Sequence, residues 1–191
     1  MAALEESQRH QFALEMVQHL RGFAPVHAQR LSDKVLYQLA RTGLVRAEKY
    51  QLTLRGPVRL YIELMVLLGS NFDTDPQYPW AATLLNECPC IDEMERAERL
   101  QQRSLDFYDR VLGANYEHEH AAIRRLREKD FEQLPQQDAQ LREELMGRLT
   151  AIYPQKVDYV GRLPLAALMS HATSFAESCI LPAPAGPALL M

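Results

Sequence analysis

Cysteine is nearly missing from this chain: Cys88, Cys90 and Cys179 are all there are, an odd number and too few for a disulfide framework. A reducing compartment is the expectation. Long apolar runs are missing too. The most apolar stretch, "LYIELMVLLG" (60–69), contains Glu63 and follows Arg59, and it falls far short of the roughly 20 residues a bilayer span needs. The N-terminus "MAALEESQRHQ" lacks the basic-then-apolar layout of a secretory signal. Nor is there a basic excess. Lys+Arg number 21 against 25 Asp+Glu, a net charge of −4, which argues against a surface built to neutralise phosphates. The short basic runs "RRLR" (124–127) and "RGPVR" (55–59) sit beside acids and read as solvated helix faces. These absences predict a soluble, cytoplasmic protein with neither a membrane nor a nucleic acid as partner.

Glycine is scarce, at 8 residues, and strand-like alternation is almost absent, while apolar residues recur at three- and four-residue spacing. Hydrophobic residues at 47% and charged residues at 24% suffice for a core. The expected fold is all-α: a bundle of about seven or eight helices forming a single domain over residues 1–181, with a Pro/Ala-rich tail at 182–191. Phe12, Met16, Val17 and Leu20 share one face of a first helix that Gly22 can stop. Ser32 can cap a second, with Val35, Leu36, Leu39, Gly43, Leu44, Ala47 and Tyr50 in its stripe. Gly43 there would let a neighbour come close. Thr53 is placed to cap a third helix, with Pro57 in its first turn. Its face is apolar almost all round (Val58, Tyr61, Ile62, Leu64, Met65, Leu67, Leu68), which predicts a buried, central helix. Further helices are expected from Pro79, from Asp92 to Gly113, from about Asn115, after Pro135 and from about Pro164.

Comparing the chain with itself at an offset of 129 reveals a weak repeat. Gln11, Glu15, Leu20, Pro25, Leu36, Leu39, Ala47, Glu48 and Leu52 meet identical residues at Gln140, Glu144, Leu149, Pro154, Leu165, Leu168, Ala176, Glu177 and Leu181. With a one-residue slip, "GPVRLYIELM" (56–65) meets "GPALLM" (186–191). The halves span about 11–57 and 140–187. The second copy would lack a full counterpart of the buried third helix, and would have to cover its apolar stripe with the first copy or with another protein.

The densest cluster is "FDTDPQYPW" (72–80). Asp73 and Asp75 lack the further oxygens of a calcium loop, whereas Asp, Pro and Trp together suit a structural joint. The acids would take turn N–H groups, Pro76 and Pro79 would fix φ, and Trp80 would anchor the next helix in the core. His118 and His120, two residues apart on a helix, diverge and cannot share a metal. "CPC" (88–90) is not C-x-x-C, and Cys179 falls on an expected buried face. Ser170 and His171 adjoin only in sequence, and no nucleophile elbow or phosphate cradle occurs. The sequence predicts no catalytic residue, no metal and no cofactor.

"AEKYQLT" (47–53), the helix Val58–Gly69 and "FDTDPQYPWA" (72–81) together resemble small helical proteins of proteobacteria encoded in type VI secretion effector clusters, beside VgrG or PAAR spike proteins and their loading adaptors. Those proteins show "ARxYGLT", "V..Y..LMFxLG" and "FDxDPxxPWA". "YPQKVDYVG" (153–161) is similar to a second copy in longer members, although here that copy lacks "FDxDPxxPW" and Gly56-Pro57 replaces a polar helix start. The resemblance covers about residues 25–90. It implies a cytoplasmic adaptor or co-chaperone that helps an effector reach the spike. The contacts expected for that protein partner are the loop residues Phe72, Asp73, Asp75, Pro76, Tyr78 and Trp80, and the second-half helices with the tail residues Leu181, Leu189 and Leu190. A homo-oligomer is compatible with the sequence. The alternatives are an immunity protein that blocks a cognate toxin, and an enzyme resting on the Asp73/Asp75 and His118/His120 pairs.

Overall fold

The computed structural model describes residues 2–87, 91–128, 135 and 138–179. Among them every regular element is helical, so the protein is all-α as its periodicity predicts. The chain divides into two compact units, where the sequence reading took residues 1–181 as one domain. The first is Met1–Thr74 with Trp80–Gln102; the second is Asp75–Pro79 with Arg103–Met191.

In the first unit, α1 (Ala2–Phe23), the short α2 (Pro25–Ala28), α3 (Asp33–Lys49) and α4 (Arg55–Leu68) pack around one core. Ala13, Leu20, Leu36, Ala40, Ala47, Tyr61 and Ile62 are fully buried within it. The wide apolar face of α4 makes it the buried helix expected, with Val58, Tyr61, Ile62, Leu64 and Met65 inside. Gly43 lies where α3 meets α4: a Cβ there would stand 2.5 Å from Ile62 Cγ1 and 3.1 Å from Met65 Sδ. Only a residue without a side chain lets the helices come this near. Ser32 caps α3 as predicted, its hydroxyl accepting Val35 N–H at 3.4 Å.

Thr53 does not cap α4. Leu54 stands at the N-cap with no side-chain bond, and the carboxylate of Glu93 accepts Thr53 N–H (2.6 Å), Leu54 N–H (3.1 Å) and the Thr53 hydroxyl (3.0 Å). Glu93 opens α6 (Glu93–Phe107), which follows α5 (Pro79–Leu85). The long helix expected from Asp92 to Gly113 continues past Phe107 as a π-helical turn, Tyr108–Leu112.

In the second unit, α7 (Glu117–Arg127), α8 (Asp138–Ile152), α9 (Pro154–Val160) and α10 (Arg162–Ser178) follow. Leu141, Leu145, Met146, Val157, Val160, Leu165 and Met169 form its core. The α9 helix has no counterpart in the sequence reading, and Cys179, expected on a buried face, is exposed. No helix among the described residues is long and apolar enough to cross a membrane.

The helices α8, α9 and α10 stand in the register of α1, α2 and α3. Phe23 and Ile152 end the first of each set, Pro25 and Pro154 open the second, and Asp33–Lys49 and Arg162–Ser178 are the third; each pair is 129 residues apart. The joint before the second helix has one backbone shape in both copies, with φ −130°, ψ 65° at Ala24 and φ −135°, ψ 67° at Tyr153. Ala24 N–H bonds Leu20 C=O at 3.0 Å, and Tyr153 N–H bonds Leu149 C=O at 2.8 Å. Burial follows the same register: Met16 with Leu145, Val17 with Met146, Leu36 with Leu165, Ala40 with Met169.

Candidate functional site

The segment 72–80 divides between the units: Phe72, Asp73 and Trp80 belong to the first, and Asp75 to Pro79 belong to the second. In the first unit Asp73 is 3% exposed, and four donors converge on it. Arg46, one turn before the end of α3, reaches it through Nε (3.3 Å) and Nη2. The hydroxyls of Tyr50 (2.9 Å) and Tyr61 (2.8 Å) both donate to Oδ2. Arg46 Nη1 also holds Asn71 Oδ1 at 2.5 Å. A carboxylate offers about four acceptor positions, and here they are used by the protein's own side chains, so Asp73 is a strut that ties the loop after α4 back to α3. Burial and the hydrogen bond to Asp73 raise the Tyr50 hydroxyl to about 12, and the same causes push Tyr61 higher still. Phe72, 1% exposed, packs its ring 5.1 Å from that of Tyr61.

The joint expected here is thus present at Asp73, but by a different device. Asp73 takes side-chain donors from α3 and α4 rather than turn N–H groups. Sequence reasoning missed Arg46 and Tyr61, the second because it reads as one more apolar residue on α4. Trp80 is half-buried and not the core anchor expected.

In the second unit Asp75 does make the predicted turn: its Oδ1 accepts Gln77 N–H at 2.8 Å. Lys156 of α9 donates its ammonium to Gln77 Oε1, and burial lowers its pKa against the opposing pull of Asp75. Tyr78, half-buried like Pro76, meets the edge of Phe107 at 5.2 Å, and Phe107 meets Tyr159 at 5.6 Å. Leu181, Leu189 and Leu190, with Cys88 and Cys90, lie outside the described residues. His118 and His120 stand in the first two turns of α7, and among the described residues no group of three or more His, Cys, Asp or Glu is arranged to hold a metal.

What the sequence did not single out is a groove of about 260 Å³ between α7 and the pair α8–α9. Its walls are Ala122, Ile123 and Leu126 on one side and Leu145, Leu149 and Ile152 on the other, with Glu119, Arg148, Tyr153 and Lys156 also lining it. Ile123 and Leu126 are 40% and 47% exposed, large apolar residues on a helix otherwise dominated by charge. The available signal was that pair, three residues apart, with Ile123 just before Arg124 and Leu126 between Arg125 and Arg127. Arg125 fixes α7 against α8 by donating to Ile152 C=O at 3.1 Å. Chemically the groove offers apolar area bordered by charges of both signs, Glu119 with Arg148 and Lys156, and Arg148 also pairs with Glu144 at 2.7 Å. No family model, no curated protein and no solved structure matches the chain.

Proposed function

We propose that this protein is a non-catalytic, protein-binding accessory, an adaptor or co-chaperone that assists loading of a type VI secretion effector onto its VgrG/PAAR spike from the cytoplasm. The carrying observation is the apolar groove of the second unit, with Ile123 and Leu126 exposed at its rim. Apolar side chains presented this way favour a macromolecular partner, which removes them from water on binding. The secretion context comes from the resemblance carried by "FDTDPQYPW". In this reading that motif serves the fold at Asp73 and leaves partner binding to the helices that follow.

Co-expression with an effector or loading adaptor encoded beside such a protein tests the reading. The partner's soluble yield or secretion should rise, and the two should co-purify. Protection of a susceptible cell from the effector without any gain in its solubility or secretion would overturn it in favour of a toxin-neutralising role.

A further inference from the structure

Beyond protein binding, we infer that Lys156 is a nucleophilic amine that captures an apolar aldehyde from the groove it lines, as a Schiff base. Lys156, half-buried on α9, shares that lining with Leu149 and Ile152 of α8 and with Ile123 and Leu126 of α7. Its nitrogen donates to Gln77 Oε1, a neutral acceptor, and among the described residues it makes no ion pair. Asp75 sets the direction of that acceptor. Its Oδ1 takes Gln77 N–H at 2.8 Å and its Oδ2 takes Gln77 Nε2 at 3.3 Å, which leaves the amide oxygen for Lys156. All three residues belong to the second unit.

An ammonium withdrawn from water and given one neutral acceptor holds its proton less firmly than an exposed one. Burial accordingly lowers the pKa of Lys156, against the weaker, opposing pull of Asp75. More of the side chain is then free amine near neutral pH, and a lysine desolvated among apolar residues is activated in this way. The nitrogen lone pair bonds to the carbonyl carbon, the C=O π pair moves to oxygen, and one proton passes from nitrogen to that oxygen. The carbinolamine then loses its hydroxyl with the second nitrogen proton as water, and the C=N bond forms. The condensation needs no oxidant, no reductant and no leaving group but water. Its product imine need carry no charge, which suits a site that solvates an ammonium poorly. The apolar walls select the rest of the molecule. A cavity of ~150 Å³ takes a benzene-sized group, so the groove of about 260 Å³ has room for an aldehyde of roughly six to ten carbons.

The test is reductive alkylation of the full chain with limiting hexanal and sodium cyanoborohydride near neutral pH, read site by site by peptide mass spectrometry. The other lysines are Lys34, Lys49 and Lys129, and the exposed Lys34 and Lys49 serve as internal standards. Lys156 should gain the hexyl group at least tenfold faster than either standard. Glyceraldehyde, similar in size but polar, should show little of that preference. Ile123→Asp places a charge on the exposed rim and should cut the hexanal preference at least fivefold. Gln77→Glu gives the ammonium a counter-charge and should slow Lys156 at least fivefold with both aldehydes, in protein whose near-ultraviolet circular dichroism is unchanged. Hexanal reacting with Lys156 no faster than with the exposed lysines would overturn the inference. So would an equal preference for the two aldehydes, or full retention in Ile123→Asp, since either removes the groove from the selection. An unchanged rate in Gln77→Glu would overturn it as well, because the amine would then owe nothing to its neutral partner.

Discussion

Glu93 and Arg96, one turn apart at the start of α6, grip opposite ends of the connection between α3 and α4. Glu93 accepts the N–H groups of Thr53 and Leu54 at the opening of α4. Arg96, 5% exposed, donates to the carbonyls of Tyr50 (2.8 Å) and Gln51 (3.2 Å) at the close of α3, and to Leu85 C=O at 3.5 Å. An anion at a helix N-terminus and a cation at a C-terminus each complement the local dipole, and one turn of α6 supplies both. The connection needs this help because Gln51 sits at φ 55°, a left-handed conformation costly for a residue with a side chain.

Removing Arg96 strips a charged donor from three carbonyls, that of Leu85 buried and those of Tyr50 and Gln51 partly buried. Arg96→Ala should cost about 3 kcal/mol, the loss expected when a charge-assisted donor leaves buried acceptors behind. At this chain length that lowers the melting temperature by roughly 6–12 °C. Glu93→Gln keeps the shape and loses the charge, and should cost about 1 kcal/mol. Thermal unfolding followed by circular dichroism ranks the two; an equal and negligible effect of both would show that the connection holds itself.

Asp73 presents a buried carboxylate paired with Arg46 and two phenols. Asp73→Leu leaves the guanidinium and both hydroxyls without their acceptor and should cost about 3–5 kcal/mol, the range for breaking one side of a buried pair. Tyr61→Phe removes one donor of four and should cost about 1 kcal/mol. Urea titration measures both. Because the strut is internal to the first unit, the co-purification of a partner expected above should persist in folded Tyr61→Phe protein.

The α3–α4 approach gives a steric prediction. In Gly43→Ala the new Cβ overlaps the buried Ile62, whose Cγ1 lies 2.5 Å away, and the cost should be about 1–3 kcal/mol. In an Ile62→Ala background, where the obstructing atom is gone, the same substitution should cost less or nothing. A double-mutant cycle from denaturant midpoints gives the coupling, and strict additivity would mean that the helices shift apart freely.

The parts legible in sequence are those whose cause is local. The breadth of the α4 apolar face, Ser32 as a cap three residues before its donor, and Gly43 on a packed stripe all rest on residues within a turn or two of one another. What the sequence concealed depends on partners remote in the chain. The cap of α4 comes from Glu93, 40 residues past Thr53, and nothing in "QLTLRGP" announces it. Asp73 read as a turn residue because its donors, Arg46, Tyr50 and Tyr61, lie on two other helices. The groove needs α7 and α8 side by side, and periodicity alone sets no such pairing. The 129-residue offset was visible because it repeats a whole helix pattern, yet the matching joints at Ala24 and Tyr153 show only in backbone angles.

Alkali should unfold this protein through its tyrosines. Burial raises Tyr50, Tyr108, Tyr153 and Tyr159 from 10.0 to about 12, and Tyr61 and Tyr78 further. In each case the folded state prefers the neutral phenol, so the unfolded chain releases these protons first as pH rises. The resulting stabilisation is therefore complete below pH 10 and is lost as pH climbs from there through about 12. Tyr61 is held hardest: burial is the larger cause, and an ionised phenol there, as at Tyr50, would also face the Asp73 carboxylate, a repulsion that Arg46 partly offsets. A spectrophotometric titration of tyrosinate should accordingly show a steep cooperative step above pH 10. Near-ultraviolet circular dichroism should collapse at the pH of that step. Gradual ionisation of all eight tyrosines around pH 10, with the dichroism intact, would mean that the Asp73 cluster and the Phe107 aromatics admit water freely.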